Sequence, residues 1–139
     1  MIRKFRPNDI DEILKIGMTS FFEANSFIKL DFLDAHHSMA KEMLPCADIY
    51  VYEENGKIAG AAAVIDDGYL LGINVDVSKQ KKGIGSKLLE HCKTKYKSLN
   101  TDVFVKNQKG VNFLKKYGFE IVDEKTHLDF GEKEYVIKF

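Results

Sequence analysis

The sequence predicts an α/β (α+β) fold, a mixed and mostly antiparallel twisted sheet of about six or seven strands flanked by helices. Three observations predict it. Apolar residues recur at helical spacing near the N-terminus, at Ile10, Ile13, Leu14 and Ile16. Three strand-like runs then succeed one another, separated by the turn signals Asn55-Gly56 and Asp66-Asp67-Gly68. Beyond Tyr69 the pattern changes to strand, helix, strand, helix, and it closes on two more strands.

The elements read in order as α, α, β, β, β, α, β, α, β, β. Asn8 or Asp9 is placed to cap a first helix that carries Ile10 to Gly17. A second, poorer helical pattern runs from Phe27 to Met43, and Pro45 separates it from the first strand. Ile49-Tyr50-Val51-Tyr52 reads as that strand, and Lys57 to Ile65 returns from the Asn55-Gly56 turn. Tyr69 to Val77 completes an antiparallel meander. Lys82 to Lys97 is helical, with Leu88, Leu89 and Cys92 as its apolar stripe and Tyr96 extending it. Thr101 to Val105 is a strand. Gly110 to Tyr117 is a helix closed by Gly118, and Phe119 to Val122 and Glu134 to Phe139 are the last strands. The strand–helix–strand stretch from Tyr69 to Val105 implies one local parallel pairing.

Composition bounds the function. The 139 residues are a one-domain length, and 45% hydrophobic residues with ten Phe and six Tyr supply a core. Formal net charge is zero, which argues against a dedicated nucleic-acid binder. Cys46 and Cys92 show no metal spacing and no Cys-x-x-Cys pair, so they read as free thiols of a cytoplasmic protein without a metal. The basic start Met1 to Arg6 leads into no apolar run, so it does not read as a signal peptide. The longest apolar run, Ile58 to Ile65, is too short to span a bilayer, and no membrane role is expected.

The segment Val75-Asp76-Val77-Ser78-Lys79-Gln80-Lys81-Lys82-Gly83-Ile84-Gly85-Ser86 carries the chemistry. A strand ends, a basic turn comes next, and a helix starts on two glycines. Helix N-termini present unpaired N–H groups and positive potential, and glycine lets an anion approach the backbone. A phosphate or pyrophosphate is the natural guest. The Walker pattern is absent, and the dinucleotide fingerprint that begins at Gly83 fails at Leu88.

Gln80-Lys81-Lys82-Gly83-Ile84-Gly85 resembles the Q/R-x-x-G-x-G/A signature of the GNAT family of N-acetyltransferases. The likeness spans nearly the whole chain, from Ile2 to Ile13, through the strand before the loop, to Asn107 and Gly118-Phe119 in the family's order and spacing. The ending Glu134 to Phe139 is similar to that of small, single-domain bacterial members. The resemblance implies the GNAT fold, one N-acetyltransferase domain over residues 1–139, and acetyl-CoA as cosubstrate. It implies that Ile73 and Val75 pair with the pantetheine arm, that Gln80, Lys81, Lys82, Gly83, Ile84, Gly85 and Ser86 hold the pyrophosphate, and that Asn107 holds the arm from the other side. A V-shaped gap between the strands Tyr69–Val77 and Thr101–Val105 would seat the thioester. The acetyl group would pass by direct attack to a primary amine of a protein lysine, a protein N-terminus or a small molecule, in a monomer or homodimer.

Three positions depart from the relatives. The tyrosine that serves as acid four residues before the Gly-Phe pair is replaced by Leu114, with Tyr117 three residues on as either a substitute or a packed helix-end tyrosine. The glutamate five residues before the asparagine is replaced by Asp102, one methylene shorter, which reads as either the proton acceptor or an exposed strand charge. Asn74 stands where close relatives have an aromatic, and its side chain should alternate away from Ile73 and Val75. These departures keep a second reading open, a non-catalytic or weakly catalytic acetyl-CoA-binding module. A phosphate-binding adaptor without CoA is a third. His36-His37 and the acidic residues Glu23, Asp31 and Asp34 would contact the acceptor or form solvated helix faces.

Overall fold

The Asn55-Gly56 turn sets the register of the first hairpin in the computed structural model, which describes residues 1–28, 38, 40–128 and 130–139. Asn55 and Gly56 have φ of 54° and 76°, so the two-residue loop has positive φ at both positions, as a type I′ turn requires. It joins β2 (Asp48–Glu54) to β3 (Lys57–Ile65), with Glu54 opposite Lys57. β4 (Tyr69–Val75) pairs antiparallel with β3. β1 (Ile2–Lys4) adds to the outer edge of β2. With β5 (Asn100–Phe104), β6 (Glu120–Thr126) and β7 (Lys133–Lys138) the sheet has seven strands in the order β1-β2-β3-β4-β5-β7-β6. Among the described residues, only the β4–β5 pairing is parallel.

Both faces of the sheet are covered, and strand periodicity divides the core between them. Ile49, Val51 and Ala61 face α1 (Ile10–Ala24), whose Ile13 and Leu14 pack on them. Tyr50, Ala62 and Val64 face the other way, onto α2 (Ile84–Lys95) and α3 (Gln108–Lys116). There Leu88, Leu89 and Cys92 are fully buried, as the stripe predicts. Burying each leucine stabilises the fold by on the order of 2–3 kcal/mol. α3 ends as expected at Gly118, where φ is 92° and the Phe119 N–H reaches back to the Leu114 carbonyl.

The structure corrects several boundaries. β1 is absent from the predicted elements, because three residues carry no legible period. β4 stops at Val75, and Val77–Lys79 is a 3₁₀ turn rather than strand. α2 starts at Ile84 rather than Lys82, which lengthens the basic loop, and ends at Lys95, where Tyr96 turns extended. α3 starts at Gln108, because the Asn107 side chain caps it. β6 continues to Thr126, four residues past the expected end. Residues 40–43 are helical, as the Phe27–Met43 pattern predicts, but Phe27 and Ile28 at its expected start are turn and bend; most of that stretch, with Asp31, Asp34, His36 and His37, lies outside the described residues.

Asp9 does not cap α1 through its side chain. Its carboxylate accepts two bonds from the Arg3 guanidinium, at 2.9 and 3.0 Å, and one from the Arg6 N–H at 2.7 Å. Arg3 also donates to Glu53. The cluster ties β1 and β2 to the start of α1. Arg3 holds the Asp9 carboxyl below its ordinary range. A depressed folded value means that the stabilisation is present above the ordinary carboxylate range and is lost as pH falls through the folded value. Asp9→Asn should cost about 1.5–3 kcal/mol at pH 7. The difference in melting temperature from wild type should shrink toward pH 3. A gap of equal size at both pH values would contradict this account.

Candidate active site

The site begins where β4 and β5 part. They share one parallel register pair, Tyr69 with Asn100. The Thr101 hydroxyl donates to the Leu70 carbonyl at 2.8 Å and the Asn100 N–H donates to the Gly68 carbonyl at 2.9 Å, which stitches the closed end. Beyond Leu70, β4 keeps β3 on one edge and leaves the other edge open. The Asp76 N–H donates to Ala59, and the Asn74 carbonyl lies against Gly60, so both turn toward β3. By alternation the N–H and C=O groups of Ile73 and Val75 face the gap. The Val75 carbonyl there accepts from Gln80 Nε2 at 3.2 Å. A cleft of about 800 Å³ fills the gap.

One end of this cleft is the basic loop. Asp76 Oδ1 accepts the Ser78 N–H and hydroxyl at 2.9 and 2.8 Å, which starts the turn and holds the Asp76 carboxyl below its usual range. Lys81 and Gly83 have φ of 65° and 81°, so the chain reverses before α2. The first helical bond runs from the Lys87 N–H to the Gly83 carbonyl at 3.0 Å, which leaves the N–H groups of Ile84, Gly85 and Ser86 without intrahelical partners. The two glycines have different reasons. Gly83 supplies the left-handed conformation, and a Cβ there would touch nothing within 4 Å. A Cβ on Gly85 would stand 3.7 Å from both Val75 and Phe113, on the cleft wall.

Of the residues expected to hold the cosubstrate, Ile73, Val75, Gln80, Lys81, Gly83, Ile84, Gly85, Ser86 and Asn107 all line the cleft. Lys82 is exposed and does not. Asn107 Oδ1 accepts the Gly110 N–H at 3.0 Å as the cap of α3. Tyr117 is not among the lining residues; its hydroxyl donates to Ser86 Oγ at 2.5 Å, and Ser86 itself lines the cleft. Leu114 is buried among the core residues beneath α2 and reaches the cleft at one edge. Asn74 turns away from Ile73 and Val75 as expected, and accepts from the Ser20 hydroxyl at 2.6 Å.

The other end of the cleft is acidic and aromatic. Asp102 Oδ2 accepts from the Tyr69 hydroxyl at 3.0 Å and from Lys125 Nζ at 2.8 Å. Burial, and then the Asp102 charge, push the Tyr69 phenol up, so it remains a donor. The Asp102 hydrogen bond raises the Lys125 ammonium. Glu134 lies opposite Phe104 in the β5–β7 register and opposite Lys125 in β6–β7, so it shares a face with both. Burial is the main cause that lifts its carboxyl above the usual range; Asp102 adds to this, and His127 and Lys125 oppose it. Glu23 of α1 also lines the cleft and is exposed. Sequence reading placed Asp102 here and missed Tyr69, Lys125 and Glu134. The signal for Glu134 was a carboxylate in phase with Val136, on the face opposite buried Ile137.

Among the described residues, no group of three or more His, Cys, Asp or Glu stands ready for a metal, and no helix is long and apolar enough to cross a membrane. Cys46 and Cys92 are free, and burial pushes the Cys92 thiol up to about 11.

The family model described as an acetyltransferase (GNAT) domain matches residues 22–130. The peptidyl-lysine N-acetyltransferase YiaC of Escherichia coli K12 is 29% identical over 124 residues, covering 88% of this chain and 85% of its own. The peptidyl-lysine N-acetyltransferase YjaB of the same organism is 22% identical over 131 residues, 94% of this chain and 89% of its own. In fold, the chain is similar to the solution structure of apo YjaB from Escherichia coli, with a TM-score of 0.87 at 21% identity over 100% of this chain and 96% of that one. It is also similar to the PaiA N-acetyltransferase of Thermoplasma acidophilum in complex with coenzyme A, with a TM-score of 0.81 at 16% identity over 99% and 96%.

Proposed function

The chain belongs to the GNAT acetyltransferase family, whose members move an acetyl group from acetyl-CoA to an amine, and from that premise we propose that its acceptor is the side-chain amine of lysine in polypeptides. The observation that carries this reading is one cleft with two unlike ends. A backbone anion cradle stands at the start of α2, and an acidic, aromatic wall stands beyond the β4–β5 split. A pyrophosphate suits the first and an ammonium suits the second. The relatives YiaC and YjaB, named as peptidyl-lysine N-acetyltransferases, support the same acceptor.

In this reading residues 1–139 form one N-acetyltransferase domain. The amides of Lys81 to Ser86 receive the pyrophosphate, with Gln80 and the Lys81 and Lys82 charges around it. Ile73 and Val75 offer their gap-facing backbone groups to the pantetheine arm, the Val75 carbonyl sharing its acceptor with Gln80, and Asn107 offers its side-chain NH₂ from across the cleft. The Val75 N–H is available to the oxyanion that forms on attack. Asp102 supplies negative charge near the incoming ammonium, held in place by Tyr69 and Lys125. Leu114 has no proton to give the departing thiolate. Tyr117 has one, and its hydroxyl is held on Ser86 Oγ behind the cleft wall.

Peptides with one internal lysine and a blocked N-terminus, incubated with acetyl-CoA, should gain one acetyl group on Nζ by mass spectrometry. Thiol release should slow in Tyr117→Phe by about 10²-fold if protonation limits the rate. Transfer only to peptides with a free N-terminus would overturn the lysine assignment, and an unchanged Tyr117→Phe would overturn the role of Tyr117.

A further inference from the structure

Glu134 is a carboxylate that neither the fold nor the cosubstrate cradle uses. It is 7% exposed, yet it lines the cleft. Among the described residues its carboxylate makes no hydrogen bond or ion pair, and its oxygens open to the cleft rather than being sealed in the core, where part of Asn25 is the one buried side-chain group without a partner. Asp102, two strand positions away on the same face, has Lys125 at 2.8 Å and Tyr69 at 3.0 Å. Asp102 thus has fixed partners, and Glu134 makes no such bond. A buried, unpaired carboxylate destabilises a fold, so its persistence at a cleft wall points to a cation that arrives from outside.

The wall beside it is aromatic. Phe104, opposite Glu134 in the register, has the rings of Phe27, His127, Phe130 and Phe21 around it at centroid distances of 5.6, 5.7, 5.8 and 6.3 Å. His127 stacks on Phe130 at 4.4 Å. Phe21, Phe104, His127 and Phe130 all line the cleft. An apolar stem ending in an ammonium fits a wall of rings that leads to a carboxylate. A neutral or anionic acceptor does not.

Resting on the acetyltransferase reading, we propose that Glu134 binds the ammonium of an alkyl primary amine, takes its first proton, and thereby selects acceptors with an apolar stem. The step balances. The R–NH₃⁺ group gives one proton to the Glu134 carboxylate, and the freed nitrogen lone pair forms the N–C bond at the thioester carbonyl. Collapse of the oxyanion breaks the C–S bond. The nitrogen loses its second proton, and the thiolate gains one to become the thiol. Glu134 then returns its proton to water. Among the described residues, the titratable and charged groups acting on Glu134 are Asp102 on β5, Lys125 on β6, His127 after β6 and Tyr69 on β4, and Glu23 on α1 lines the same cleft.

The test compares Glu134→Gln with Asp102→Asn and wild type in three measurements. Calorimetry with CoA reads the cosubstrate site, which should change less than twofold in Glu134→Gln. An NMR titration of n-butylammonium into the CoA complex reads the cation site, and affinity should fall at least 10-fold in Glu134→Gln. Transfer to a lysine peptide should fall about 10²–10⁴-fold in kcat/KM, with loss of the acid limb of the pH profile in Glu134→Gln but its retention in Asp102→Asn. Because burial raises the folded value of Glu134, its ionised form is destabilising at neutral pH, and Glu134→Gln should melt no lower than wild type at pH 8. Unchanged n-butylammonium affinity, or an acid limb that survives in Glu134→Gln, would overturn the proposal. Failure of the wild-type protein to bind CoA would instead overturn the acetyltransferase reading beneath it.

Discussion

Gly85→Val should abolish measurable acetyl-CoA binding while leaving the fold intact. A Cβ at position 85 would meet Val75 Cγ2 and Phe113 Cζ at 3.7 Å and Ile73 Cγ2 at 3.9 Å, which is ordinary van der Waals contact. The protein alone therefore accepts the first carbon, and glycine is no asset inside a helix. The two further methyls of valine lie between the free edge of β4 and the first amides of α2, where the cosubstrate must approach the backbone. We expect at least 100-fold weaker binding by calorimetry, equivalent to about 2.7 kcal/mol. The melting temperature should stay near that of wild type. Gly83→Ala should show the opposite split. Its φ of 81° puts an L-residue in the left-handed region, so stability should fall by about 1–2 kcal/mol. Wild-type affinity in Gly85→Val would remove the loop from the cosubstrate site.

The loop was legible because its chemistry is carried by backbone and glycine spacing, which a sequence displays directly. The meander was legible for the same reason: Asn55-Gly56 dictates a two-residue hairpin whatever surrounds it. The family resemblance assigned Ile73 and Val75 to the cosubstrate edge, and alternation turned the Asn74 side chain away from theirs. Boundaries moved where a side chain competed for the backbone. Asn107 caps α3 and pulls its start forward to Gln108, and Asp76 ends β4 early by gathering the Ser78 N–H and hydroxyl. Neither competition has a periodic signal.

The acidic end of the cleft was only partly legible, and the reason is topological. Asp102 was found through the family resemblance, which places an acidic residue five positions before Asn107, a local spacing. Lys125 and Glu134 reach the same face only because β7 inserts between β5 and β6. No window of the sequence brings residues 102, 125 and 134 together. Asp9 is a similar case. Its position before α1 suggested a helix cap, but Arg3, delivered by the short strand β1, took both carboxylate oxygens. Tyr117 reads from sequence as a substitute for the tyrosine replaced by Leu114; only the packing of α3 on α2 sets its hydroxyl on Ser86.

Gly68→Ala should be the most destabilising single-methyl change at a turn of this protein. Gly68 has φ of 137°, and a Cβ there would lie 2.2 Å from the Ser98 carbonyl oxygen. That partner is backbone, so no side-chain rotation relieves the overlap. Gly68 also accepts the Asn100 N–H at 2.9 Å, at the point where β4 and β5 make their single register pair. The methyl must push residues 98–100 away and open the closed end of the V. Backbone strain and overpacking together should cost about 2–5 kcal/mol, a drop in melting temperature of roughly 10 °C or more. Gly56→Ala is the matched control. Its φ of 76° lies in the left-handed region, milder for alanine than 137°, and no atom lies within 4 Å of the added carbon. It should cost only the left-handed penalty of about 1–2 kcal/mol. The functional consequence should be uneven too. Ile73, Val75 and Gly85 lie toward the open end and should keep most of their affinity for CoA in Gly68→Ala. Asp102 and Tyr69 lie beside the pin, so kcat should fall more than CoA affinity. Equal melting temperatures for the two alanine variants would show that residues 98–100 yield without cost and that the V is not pinned at Gly68.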